Sequence, residues 1–207
     1  MSGRPKPPRD LLDGEGWAAF APAHDLAFWI TENIILDTGP LYNDEHSHLE
    51  GAQLGVLWTV IPNKRQGRVV VGQAEIGQPR GTMGKWPMAR AEQQIKEWFG
   101  GVPDFILTFD ANYASQCTDE QFCAVVEHEL YHCGQALDPF GQPKFTQDGR
   151  PSYAMRGHDV EEFVGVVRRY GVVTPDVAAL VDAANQEPII KRVEIEEACG
   201  TCWSRIA

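Results

Sequence analysis

Residues 128–132 read His-Glu-Leu-Tyr-His, two histidines four apart with a glutamate beside the first. On a helix, side chains four residues apart stand one turn above another, so His128 and His132 can converge on one ion. Glu129 lies about 100° around the axis from His128, which carries it past the ion toward a water on it. This is the physical content of an H-E-x-x-H motif. Two neutral imidazoles hold Zn²⁺, the ion lowers the pKa of its water to about 7, and the glutamate takes the proton. The pattern is short enough to arise by chance, so its meaning depends on what the rest of the chain supplies.

A catalytic zinc site needs a third protein ligand. The best source is the stretch RGHDVEEFVGVVRRYG, in which His158 stands at or just before a helix start and Asp159, Glu161 and Glu162 follow. Zinc accepts imidazole or carboxylate, so all four are admissible. His158 is the first choice, with Glu161 or Glu162 as runners-up. Each acid also has a plainer reading, as a carboxylate favoured by the helix dipole or as a partner that orients a ligating imidazole. Tyr153 and Tyr170 flank this segment and are candidate donors to an oxyanion. The CGTC stretch has C-x-x-C spacing at Cys199 and Cys202, but a closed zinc site needs four ligands and no second pair exists. It reads as a pair of reduced thiols. Cys133 reads as a packing residue, and His46 and His48, in a turn-rich loop, as surface histidines.

The elements that must position these residues follow from pattern. Thr118 with Gln121 three residues later forms a capping box, and Asp119 and Glu120 suit the positive end of a helix. That helix is expected from Asp119 to Leu137, where Asp138-Pro139 stops it. Phe122, Val125, Val126, Leu130, Cys133 and Leu137 give it apolar surface. Upstream, 24–35 reads as a helix, 53–62 and 68–76 as two strands joined by hairpin chemistry at NKRQG, 88–99 as a helix and 104–110 as a strand. The last of these is expected to offer a sheet edge to an extended peptide. Downstream, 159–170 reads as a helix with Val160, Phe163, Val164 and Val167 as its buried stripe, and 174–185 as another. The stretch after Gln186 is ambiguous between strand and helix. The expectation is an α+β fold in which a small, antiparallel-containing sheet packs against the motif helix and flanking helices. Residues 1–15 read as a flexible leader, 16–185 as the domain and 186–207 as an extension carrying the C-x-x-C pair.

The chain has 207 residues, 43% hydrophobic and 23% charged, enough to bury a core. Its formal charge of −11 opposes sequence-independent binding to nucleic acid or to anionic membrane, which needs clustered Lys and Arg. No stretch approaches the roughly 20 apolar residues of a membrane span, nor is there a signal-peptide run at the start. A reducing, cytoplasmic compartment is the expectation.

The pair VEHELYHCG and GHDVEEFVGVVRRYG resembles the putative phage metallopeptidase family, whose members join an HELxH helix to an HDVEEF-type helix. The upstream order of elements is also similar, more loosely, to SprT-type zincins. The resemblance covers about residues 23 to 172. It implies a minimal zincin fold and a zinc-dependent peptidase with a peptide or protein substrate, in a bacterial host cytosol if phage-encoded. It also implies His128, His132 and His158 as ligands and Glu129 as base. The four-cysteine ribbon of SprT-type proteins is absent, as is the deaminase H-x-E…P-C-x-x-C arrangement. Two other functions stay open: a catalytically silent, metal-stabilised binding protein, and a zinc hydrolase of a non-peptide amide.

Overall fold

Two apolar runs, LGVLWT and FILTFD, dictate the centre of the molecule, because a strand apolar on both faces must be covered on both. The computed structural model describes residues 3–14, 18–65, 67–80, 84–160, 164–172, 174–190, 194 and 198–201. Its strands are β1 (Phe20–Pro22), β2 (Leu54–Thr59), β3 (Lys64–Arg65), β4 (Arg68–Ile76), β5 (Phe105–Asp110), β6 (Cys133–Gln135), β7 (Tyr153–Met155) and β8 (Ala198–Cys199). Its α-helices are α1 (Arg9–Leu12), α2 (His24–Ile30), α3 (Lys85–Phe99), α4 (Ala111–Gln116), α5 (Asp119–His132), α6 (Val164–Tyr170) and α7 (Pro175–Ala184). A π-helical turn, Thr31–Ile35, continues α2, and a 3-10 helix covers Asp44–Leu49.

The main sheet has the order β1-β2-β5-β4-β3, with β8 also pairing with β4. It is mixed: β2 runs parallel to β5, β4 antiparallel to β5, and β8 parallel to β4. The NKRQG segment does turn the chain, but the hairpin it closes is the short β3–β4 pair. The expected pairing of 53–62 with 68–76 gives way because β5 sits between them. Turn chemistry sees only neighbours in sequence. An apolar strand such as β5, whose Phe105, Leu107 and Phe109 are wholly buried, gains more by taking two partners. The same placement overturns the expectation that β5 is an edge. The strand lying against α5 is β4.

One core joins α2, the sheet and α5. Trp58, Phe109 and Phe122 form its aromatic centre, with ring centroids 5.2–6.2 Å apart. Leu26, Ile30, Ile34 and Ile35 close it from the α2 side, whereas Phe28 of the same helix is mostly exposed.

Three further expectations are corrected. The leader is docked, not flexible, over its described residues: Arg4 is buried, lies over the Phe122 ring at 4.2 Å, and donates to Asp119 Oδ1 (2.9 Å) and to the Ala114 carbonyl (2.8 Å). The motif helix ends at His132 instead of Leu137, because Cys133–Gln135 leaves it as a strand that pairs with Tyr153–Met155. The helix after His158 is described from Val164, and none of its residues is buried. Val164 is largely exposed and Val160 and Val167 are half-buried, so among the described residues the expected stripe is not buried, and Phe163 lies outside them. Among the described residues no helix is long and apolar enough to cross a membrane.

Candidate metal centre

The capping box forms as the sequence requires. Thr118 Oγ1 accepts from Gln121 N–H and Gln121 Oε1 accepts from Thr118 N–H, fixing where α5 starts and hence which side chains reach its far end. At that end His128 and His132 point together, their ring centroids 5.0 Å apart. The chain then leaves through β6, makes an excursion over 136–152, and returns as β7. Arg156 N–H donates to the His132 carbonyl just past the ladder (2.9 Å), which sets the next two residues beside α5. His158 thereby arrives with its ring 5.1 Å from each of the other two rings. His158 Nε2 lies 3.3 Å from His128 Nε2, and one nitrogen from each of the three histidines falls within 4.8 Å of the others.

These donors suit a metal ion. A tetrahedral zinc with bonds of about 2.0–2.1 Å holds two nitrogens about 3.3–3.4 Å apart. His132 is also held in the right tautomer: its Nδ1 donates to the Arg156 carbonyl at 2.7 Å, which leaves the Nε2 lone pair for the cluster. Burial pulls the His132 pKa down, but its bonds to Cys199 and to the Arg156 carbonyl outweigh this and leave the ring more basic than usual. Arg156 is in turn ion-paired with Asp159. Asp159 thus engages the residue that orients His132, and the structure does not bring it to the imidazoles as a ligand atom. Glu161 and Glu162 lie outside the described residues.

Glu129 is almost wholly buried. Burial first, then the nearby Cys199, pushes its carboxyl well above the ordinary range. It lies under β4, where Gly72 passes so close that a Cβ there would stand 2.9 Å from Glu129 Oε1 and from Val125 Cγ1. Only glycine permits that approach. Thr201 Oγ1 bonds to Glu129 Oε2 at 2.9 Å, and Cys199 Sγ lies 3.4 Å from His132 Nε2. Cys199 forms a second group of potential ligands with His128 and Glu129. Reading CGTC as a bare pair of thiols missed this, and Cys202 lies outside the described residues. No periodicity links residue 199 to residue 132. The one available signal was a strand-like Ala-Cys-Gly-Thr run that needed a sheet edge.

The tyrosines are placed elsewhere. Tyr153 donates its hydroxyl to the His48 carbonyl (3.3 Å) and packs on Phe105, and Tyr170 is largely exposed beside Arg169. His46 is not a surface residue: it is wholly buried, edge-on to Tyr131, with Glu127 Oε2 4.0 Å away. Burial, with smaller contributions from His48 and Arg156, lowers its pKa to about 4, so it is neutral at pH 7 and no ion pair with Glu127 forms. His48 Nε2 meets the Cys133 carbonyl at 2.7 Å, bracing the turn where α5 becomes β6.

A mixed sheet is backed by a helix that presents two imidazoles and a buried carboxylate, and a return strand delivers a third imidazole, so the three rings form a group that could hold a metal ion. A family profile described as putative phage metallopeptidase matches residues 27–185, and the chain belongs to that family. Membership points to a metallopeptidase, and so to a bound metal ion. No curated protein and no solved structure matches the chain.

Proposed function

We propose that the protein is a zinc-dependent peptidase with a minimal zincin-like fold, acting on peptides or proteins. The Nε2 atoms of His128, His132 and His158 would hold the ion, an all-imidazole donor set that suits zinc. When bound, the ion supplies Lewis acidity, drawing electron density from a carbonyl and acidifying water. Glu129, adjacent in sequence and fixed under β4, takes the proton of the attacking water and returns it to the leaving amine. The water-poor setting that raises its pKa makes it a competent donor in the second step. Arg156 and Asp159 act through His132, holding its ring so that the same nitrogen always faces inward.

The observation that carries this reading is the convergence of three imidazoles beside one buried carboxylate. A structural site has use for the imidazoles but none for Glu129 on the reacting side. Glu129→Gln should keep stoichiometric zinc by elemental analysis while peptide hydrolysis falls roughly 10²–10⁴-fold. His128→Ala should lose both. Hydrolysis undiminished in Glu129→Gln overturns the mechanism. Digestion of a peptide library against a panel of simple amides separates a peptidase from a hydrolase of other amides.

A further inference from the structure

The segment 198–201 enters the site from the far end of the sequence, and each of its residues makes a contact there. Ala198 and Cys199 extend the sheet along β4, paired with Val70 and Gly72 across a register shift. Gly200 N–H donates to the Gly72 carbonyl at 2.7 Å. A Cβ on Gly200 would meet the Gln73 side chain at 2.6–2.7 Å, so the chain passes this point only as glycine. Thr201 Oγ1 accepts from Ala74 N–H at 2.7 Å and lies 3.1 Å from the Ala74 carbonyl and 2.9 Å from Glu129 Oε2. The backbone groups of Gly72 and Ala74 that an extended peptide would use are therefore taken, and so is the base.

The thiol completes the pattern. Cys199 Sγ lies 3.4 Å from His132 Nε2 and receives the Thr201 N–H at 3.2 Å, which fixes where the sulfur stands. In a tetrahedral site a sulfur about 2.3 Å from zinc stands about 3.6 Å from a nitrogen about 2.05 Å from the same ion. The Cys199–His132 spacing fits a shared ion, and Cys199 Sγ also lies within 4.8 Å of a ring nitrogen of His128. Three protein ligands leave a zinc site open for chemistry, whereas a fourth makes it the closed kind found in structural sites.

We propose that the Cys-Gly-Thr segment 199–201 is an intramolecular plug: it occupies the peptide-binding edge of β4, gives the Cys199 thiolate to the metal as a fourth ligand and ties up Glu129 through Thr201, so that the chain is latent until the segment leaves. This rests on reading the three histidines as a zinc site. The thiol gives up its proton to solvent on binding the ion, and departure of the segment returns one.

The test uses the full-length protein with Co²⁺ as the spectroscopic metal. Wild type and Cys202→Ser should show a thiolate-to-cobalt charge-transfer band. Cys199→Ser and Cys199→Ala should bind one Co²⁺ without it. In the wild type, metal should shield Cys199 from iodoacetamide by mass spectrometry and chelation should expose it, a readout that needs no variant. Zinc-loaded Cys199→Ser and Cys199→Ala should hydrolyse peptides at least about tenfold faster than wild type, as expected when less than a tenth of the wild type is unplugged. Stoichiometric Co²⁺ with no sulfur band in the wild type, or equal turnover with and without Cys199, overturns the plug and leaves the histidine site standing. Wild type that binds no Co²⁺ overturns the metal site itself, and the plug with it.

Discussion

His46 and His132 show how the same side chain is put to opposite uses by its surroundings. His132 has a carbonyl on one nitrogen and faces the cluster with the other. Among the described residues neither ring nitrogen of the buried His46 has a hydrogen-bond partner, so burial disfavours its charged form. Its folded pKa of about 4 lies below the ordinary value near 6.5, so between these limits the unfolded chain binds the proton that the folded chain refuses. Stability from this residue is complete above about pH 6.5 and falls as pH drops toward 4, by roughly 3 kcal/mol in all. Urea unfolding at pH 7 and pH 4.5 should show the loss, and His46→Phe should flatten that part of the profile. At this scale His128, Glu129 and His132 are legible in the sequence because helical geometry relates near neighbours. His158 is legible as chemistry, an imidazole set among acids. Cys199 and Thr201 are not, since their meeting with Glu129 depends on where a distant strand docks.

Elements were readable where the signal was local and misread where it was not. The capping box fixed the start of α5 in sequence as in structure. Its end was misplaced because Cys133–Gln135 is drawn out of the helix by pairing with Tyr153–Met155, a partner 20 residues away. Likewise the hairpin at NKRQG was a sound local reading that β5 overrode by inserting between β2 and β4. The junction of β4 with α5 leaves no room for a Cβ at Gly72. Gly72→Ala should force them apart and cost about 1–3 kcal/mol in chemical denaturation, with hydrolysis falling as Glu129 is displaced. Arg4 joins the leader to α4 through a buried bond to the Ala114 carbonyl and to the start of α5 through a half-buried bond to Asp119. Arg4→Ala should cost about 1–3 kcal/mol without altering metal content.

At the scale of the whole molecule, three segments far apart in sequence, namely the end of α5, the strand leading to His158 and the tail at 198–201, meet at one point. An ion there would crosslink them in the native state alone, so it should stabilise the fold by mass action, about 4 kcal/mol at a thousandfold excess over Kd. Chelation should lower Tm in calorimetry, and His158→Ala should remove most of the metal-dependent part. The excursion between β6 and β7 has a different bearing. Residues 141–150 are all exposed, and internal turns at 138–141 and 146–149 bend it back on itself. Both strands that flank it are pinned independently, one by the helix and the other by Arg156 against His132. Evolution and engineering alike are therefore offered a graft site: a foreign recognition loop could replace this stretch, between two pinned strands, without retuning the reactive groups.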